Sequence, residues 1–219
     1  MARKATETAA ESTAAGTKTK TVAGRRAERQ IATRRKILDA AARVIGRYGY
    51  VGCSVARVTA KARMAHGTFY LYFKSQQQLF DTILPTLGAE ILTSIAAAIG
   101  DETDPIEIER LGFTANIAYT ASHPYMNRVL YEAQLFAPKA YRRWLDGIAE
   151  SYVRSFKRTL TSGPFASASD EQLHMLAIMI VNARTALLFR IDNKTAAQPD
   201  FVKETIETYL TFVTNGLGI

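Results

Sequence analysis

The residues best equipped to meet a ligand lie in one stretch, Ser54 to Phe73, SVARVTAKARMAHGTFYLYF. Ser54, Arg57, His66, Thr68, Tyr70, Tyr72 and, just beyond, Lys74 bring hydroxyls, phenols, an imidazole and cations, with no acid among them. Such groups donate hydrogen bonds to phosphate oxygens and to base edges. Val55, Val58 and Ala62 recur at helical spacing, and Phe69 and Phe73 sit one turn apart. The stretch therefore predicts two short helices with a tight turn at about Arg63-Met64. Gly67 and Leu71 lie opposite the apolar pair, flanked by Thr68 and Tyr70. That outer face is small, hydroxyl-bearing and aromatic, and it suits the major groove of DNA. Gly67 would let the backbone come close, and Thr68 offers a hydroxyl plus a methyl suited to thymine. Tyr70 and Tyr72 can donate phenolic hydrogen bonds, or can be ordinary packing aromatics. His66 is read as a plain donor, although its ordinary pKa would also allow a pH response.

The second half of this stretch, continued as AHGTFYLYFKSQQQLF, resembles the recognition helix and following helix of the TetR family of bacterial repressors, whose usual form is close to SKGTLYxYFxSKExLF. The resemblance covers roughly residues 30 to 85, and Gly-Thr-aromatic-Tyr-x-Tyr-Phe keeps its register with Ser75 and Leu79. It implies an all-α fold: an N-terminal three-helix DNA-binding head with a helix-turn-helix, and a C-terminal helical bundle for effector binding and dimerisation. It also implies that His66, Gly67, Thr68, Tyr70, Tyr72 and Lys74 contact DNA, with Ser54 and Arg57 as phosphate candidates on the supporting helix. Four departures from the family's usual residues bear on the turn and on phosphate contact. Arg63 stands where Gly is common in the turn, Ala65 where Ser opens the recognition helix, Cys53 where Thr is usual, and Gln76 where many members carry Lys. The loss of the Ser cap is worth roughly 1 kcal/mol.

Charge placement points the same way. Residues 1–74 hold 16 Lys+Arg against 4 Asp+Glu, a net +12, whereas the rest of the chain is mildly acidic at −4. A basic head on an acidic body is the footprint of a polyanion binder. Arg3, Lys4, Lys18 and Lys20 fall in an Ala/Thr/Lys-rich segment, residues 1–24, that reads as a flexible basic arm or an inert tail. Arg25, Arg26, Arg29, Arg34, Arg35 and Lys36 crowd the start of the first helix. The domain division follows: residues 1–24 arm, 25–74 helix-turn-helix domain, 75–219 ligand-binding and dimerisation domain.

A single cysteine among 219 residues forms no internal disulfide and fits a reducing compartment. No apolar run approaches the ~18 residues of a membrane span, and the first residues lack the apolar core of a secretion signal, so a soluble cytoplasmic protein is expected. The first helix is predicted from about Glu28 to Tyr48, with Ile31, Leu38, Ala41, Ala42 and Ile45 on its buried face and Gly49 as its stop. Ser75 and Gln78 have capping-box spacing at the fourth helix, which Pro85 should kink or divide. Later helices open at Asp104-Pro105, Pro124 and Pro138, and a loop spans residues 162–169. Leu173, Leu176, Ala177, Ile180, Leu187 and Leu188 stripe the penultimate helix, and Val202, Ile206, Tyr209 and Val213 the last. These stripes, with Arg184 and Arg190, either form a four-helix dimer interface, as the resemblance implies, or close the monomer core.

The remaining chemistry is thin. Glu171-x-x-His174 has the spacing of a di-iron motif, but no second such pair accompanies it. No phosphate-cradling glycine loop and no G-x-S-x-G nucleophile is present. The sequence predicts neither metal, cofactor nor enzyme activity. An effector cavity, if built, would draw on Tyr119, His123, Tyr125, Tyr131, Phe136, Trp144, Met175, Met179 and Asn182, each of which can equally be core. The expected partners are an operator in double-stranded DNA, a second copy of the chain, and a small apolar or amphipathic effector. Two rival readings are a DNA-binding regulator without an effector, and a helical-bundle enzyme or carrier.

Overall fold

The computed structural model describes residues 22–191 and 194–217. The arm expected over residues 1–24 lies outside the described residues as far as position 21. Positions 22–24 already belong to α1 (Val22–Tyr48), which begins well ahead of the expected Glu28. Arg25, Arg26, Glu28, Arg29 and Gln30 face water here, and all are good helix formers. Ile31 corrects the expected buried face: it is 70% exposed, because packing begins only at Ile37 and Leu38. Gly49, at φ +74, ends the helix as expected.

There follow α2 (Val55–Ala62), α3 (His66–Tyr70), α4 (Gln76–Ile99), α5 (Pro105–Ser122), α6 (Tyr125–Phe136), α7 (Pro138–Thr159), α8 (Asp170–Leu188) and α9 (Pro199–Leu217), with no strand among the described residues. Local signals explain several starts. Asp104 accepts from the N–H groups of Ile106 and Glu107 beside Pro105, and Ser169 with Gln172 forms a complete capping box. Ser75 caps α4 by accepting from Gln78 N–H, while the Gln78 amide oxygen reaches past it to Lys74 N–H at 2.6 Å. Pro85 lies inside α4 without dividing it.

Two apolar clusters hold the chain together. The first joins α1, α2 and α3 to Leu79, Phe80, Ile83 and Leu84 of α4 and to Met126, Val129 and Ala133 of α6, so the head's core runs on into the body. The second joins Phe113 and Ile117 of α5, Phe156 of α7, Leu173, Ala177 and Ile180 of α8, and Ile206, Tyr209 and Val213 of α9. The stripes of the last two helices therefore close the core of this one chain. Other residues are left exposed on them: Met175 and Met179, Phe189 just past α8, and Phe212.

One expectation about composition is overturned. By length and composition alone, Gln76–Ile99 is apolar enough to cross a membrane. Asp81 and Glu90 are the helix's only charged residues, which is why α4 reaches that mark. In the fold it packs against α1, α5, α6 and α7, and Arg35 of α1 grips Glu90 through an Nη2–Oε2 bond of 2.7 Å.

Candidate functional site

The helix-turn-helix is built from α2, the turn and α3. Ser54 is the N-cap of α2, accepting from Arg57 N–H at 3.3 Å. The Arg57 guanidinium lies 4.7 Å from the Tyr48 ring centre and donates to the Gly52 carbonyl at 2.6 Å, so its side chain is held in place on the surface. Phe69 and Phe73 are completely buried and anchor α3, with the Arg34 guanidinium 5.0 Å over the Phe73 ring. Around that anchor His66, Gly67, Tyr70, Leu71 and Lys74 are exposed, and Thr68 is half-buried. The Tyr70 ring meets His66 edge-on at 5.8 Å. Tyr72 leans partly into the core. No Cβ added at Gly67 would meet anything within 4 Å, so the bare backbone there is open to a visitor.

Two departures in the turn have local consequences. Arg63 adopts φ +52, the only left-handed non-glycine residue described. That conformation costs an L-residue about 1–2 kcal/mol relative to glycine. Arg63→Gly is therefore expected to raise stability by about 1 kcal/mol, read as a higher denaturant midpoint at unchanged slope. Ala65 provides no side-chain cap to α3. Gln76 donates to the Cys53 carbonyl at 2.6 Å, tying the start of α4 to the entry of α2. Burial pushes the Cys53 thiol up to about 12, although Arg57 pulls the other way, leaving an inert apolar filler. Arg35, counted among the basic crowd of α1, is spent on Asp39 and Glu90.

The head meets the body along α1 and α6. Gly46 lies so close to Tyr125 that an added Cβ would sit 2.8 Å from the Tyr125 Cα. Glu132 accepts the Tyr50 N–H at 2.7 Å and the Arg128 Nε–H at 2.6 Å, and Arg128 also donates to the Arg47 carbonyl. Burial pushes the Glu132 carboxyl up, but Arg128 and the Tyr50 N–H outweigh it and hold it below the usual carboxylate value.

The body holds a cavity of about 540 Å³, partly open to solvent. Ile91, Ile95 and Ile99 of α4 and Ile148 and Phe156 of α7 supply apolar wall, and Trp144 lines it as well. The other predicted cavity residues lie elsewhere. Tyr119 and His123 stack at 4.2 Å beside Tyr125, under Arg43 of α1, because the α5–α6 corner turns them toward the head. Phe136 stacks on Tyr50, and Tyr131 packs edge-on to Phe189. Met175, Met179 and Asn182 share the exposed face of α8, since the opposite face carries Leu173, Ala177 and Ile180 into the core. His174 faces Asp146 at 3.9 Å, and no cluster of three metal-ligating side chains forms among the described residues.

The cavity also holds a polar group that spacing did not single out. Glu109 of α5 and Arg184 of α8 are 8% and 7% exposed, and Arg184 Nη1 stands 3.6 Å from Glu109 Oε2. Tyr209 donates to Glu109 at 2.6 Å, and Arg184 Nη1 donates to the Tyr152 oxygen at 2.7 Å. Burial pushes the Tyr152 and Tyr209 phenols above their usual value. A lone arginine inside the apolar run of α8 was the available signal.

With this geometry in view, the comparisons converge. Residues 37–83 match the family of bacterial regulatory proteins, tetR family. The uncharacterized HTH-type transcriptional regulator YhgD of Bacillus subtilis is 24% identical, over 83% of this chain and 95% of its own. The HTH-type transcriptional repressor SCO4008 of Streptomyces coelicolor is 29% identical over 46% of this chain and 48% of its own. The structure of the regulator FadR from Bacillus subtilis in complex with stearoyl-CoA shares the fold, with a TM-score of 0.65 at 19% identity over 83% of this chain and 98% of that one. Head and body alike thus resemble regulators of transcription rather than enzymes: residues 37–83 carry the head of the bacterial regulatory proteins of the tetR family, and the chain as a whole shares the fold of TetR-family regulators.

Proposed function

We propose that this regulator is a cytoplasmic repressor that grips a palindromic operator as a homodimer and releases it when a small apolar or amphipathic molecule enters the cavity. The observation that carries the DNA reading is the face of α3. Two buried phenylalanines fix the helix while His66, Gly67, Tyr70 and Lys74 stand exposed on a strongly basic head. In this reading Tyr70 and Thr68 meet bases or phosphates, Tyr72 and Lys74 hold the backbone, and Ser54 and Arg57 approach a phosphate from α2. The apolar residues left exposed at α8 and α9, Met175, Met179, Phe189 and Phe212, favour a second copy as partner. A twofold dimer sets its recognition helices roughly 34–36 Å apart, on successive turns of one DNA face. Release then requires a coupling of only about 1–3 kcal/mol between cavity and head.

A mobility shift against the DNA flanking its own coding sequence tests this. A discrete complex should form on a palindrome and weaken by orders of magnitude between roughly 50 and 200 mM salt. Two variants sharpen it. Tyr70→Ala should weaken operator binding with unchanged helical content. Gly67→Ala should leave the fold as stable or up to about 1 kcal/mol more stable, because the site is open and Ala favours helix, yet weaken the complex by putting a methyl between backbone and DNA. Full operator affinity in both variants would remove α3 from the interface.

A further inference from the structure

The cavity is apolar along most of its wall, yet two arginines line it, Arg158 exposed and Arg184 buried. Arg184 is more than nine-tenths buried and lines the cavity. Its Nη1 edge is occupied by Glu109 and Tyr152. Its Nε and Nη2 atoms are buried and have no hydrogen-bond partner among the described residues. An unmade hydrogen bond on a buried charged group is expensive, so such groups are ordinarily filled. The Nε–Nη2 edge of a guanidinium offers two parallel N–H groups, which match the two oxygens of a carboxylate. Phe113 lies under the same guanidinium, 5.4 Å from Cζ to the ring centre, and keeps its plane in place. Trp144 Nε1–H is also buried without an acceptor among the described residues, but it packs against Gly88 of α4, where an added Cβ would lie 2.3 Å from it. Donors without acceptors select a ligand that brings acceptors. The isoleucines of α4 and Phe156 offer it nothing polar, so the part of that ligand lying against them is hydrocarbon.

The geometry points to an amphipathic acid as the effector, its carboxylate set on the Nε–Nη2 edge of Arg184 and its apolar chain along α4 and α7. This rests on the effector reading of the cavity given above. Glu109 stays on the opposite edge of the guanidinium, where Tyr209 shares its charge. The arginine thus serves two acceptors at once, one from the protein and one from the ligand.

Calorimetric titration of the full chain with decanoate and with 1-decanol, matched in apolar length, separates the two claims. Wild type should bind decanoate about tenfold or more tightly than the alcohol, the scale of one charge-assisted hydrogen bond. In Arg184→Lys, which keeps a charge for Glu109 but loses the fork, that preference should collapse toward unity while the alcohol binds as before. Equal or tighter binding of 1-decanol by wild type would overturn the acid assignment and leave the cavity reading standing. Binding of neither probe would overturn both. An acid preference that survives Arg184→Lys would overturn the role given to Arg184.

Discussion

Glu109→Ala is expected to cost about 3–5 kcal/mol, enough to remove much of the stability of an ordinary domain. The change deletes the only carboxylate among the described residues that faces Arg184 at close range, leaving a guanidinium that is 7% exposed without a counter-charge. It also strips the Tyr209 hydroxyl of its acceptor. The loss comes from desolvation left uncompensated rather than from the attraction of the pair, so removing both charges should behave differently. Glu109→Leu with Arg184→Met should recover most of the stability, since a buried ion pair is replaceable by well-packed apolar groups. Chemical denaturation of the two variants checks this. A single-variant loss below about 1 kcal/mol would mean that water reaches the guanidinium.

Gly46→Ala should cost about 1–3 kcal/mol, although alanine is the better helix former by about 1 kcal/mol. The added methyl meets the Cβ and Cα of Tyr125, and neither can rotate away. Trimming the ring by Tyr125→Ala therefore brings no relief, since both atoms remain. The two helices must move apart, and because α1 carries the head, operator affinity should change as well. The contrast with Gly67→Ala is diagnostic: the fold needs the first glycine, and the proposed DNA contact the second. Unfolding midpoints and operator titrations on both variants read the difference, and an unchanged midpoint for Gly46→Ala would show that α1 and α6 slide freely.

The head was legible in the sequence because its determinants are local. Val58, Ala62, Phe69 and Phe73 repeat at helical spacing, and Ser54 and Ser75 cap the helices they precede. The body's helices were equally legible from Asp104-Pro105, Pro138 and the loop over 162–169, although the Ser169–Gln172 capping box emerged only in the structure. The cavity was not. Which aromatic lines a void depends on the rotation of each helix against several neighbours, and periodicity fixes a stripe without naming what it faces. Tyr119, His123 and Tyr125 thus turned out to brace α1, and Met175 and Met179 to face outward. Glu109 was missed, and Arg184 was read only alongside the apolar stripes, because the two stand on different helices and are partners only in three dimensions. Arg35 illustrates the same limit for charge counting, since its pairing with Glu90 crosses from head to body.

Helix α6 has twelve residues and two employers. Met126, Asn127 and Leu130 form part of the cavity wall, while Arg128 and Glu132, on neighbouring turns, hold the carbonyl of Arg47 and the N–H of Tyr50. Wall and clamp are thus one rigid body, with no relay of side chains between them. A guest that displaces this helix by a fraction of an ångström has only two mechanical outcomes open to it. Either the far end of α1 travels with α6 and re-aims α3, or the Glu132 clamp tears and the head is freed to rock. In the proposed dimer both would spoil a fixed spacing between two recognition helices, so the wall would need to move only as far as one hydrogen bond can stretch.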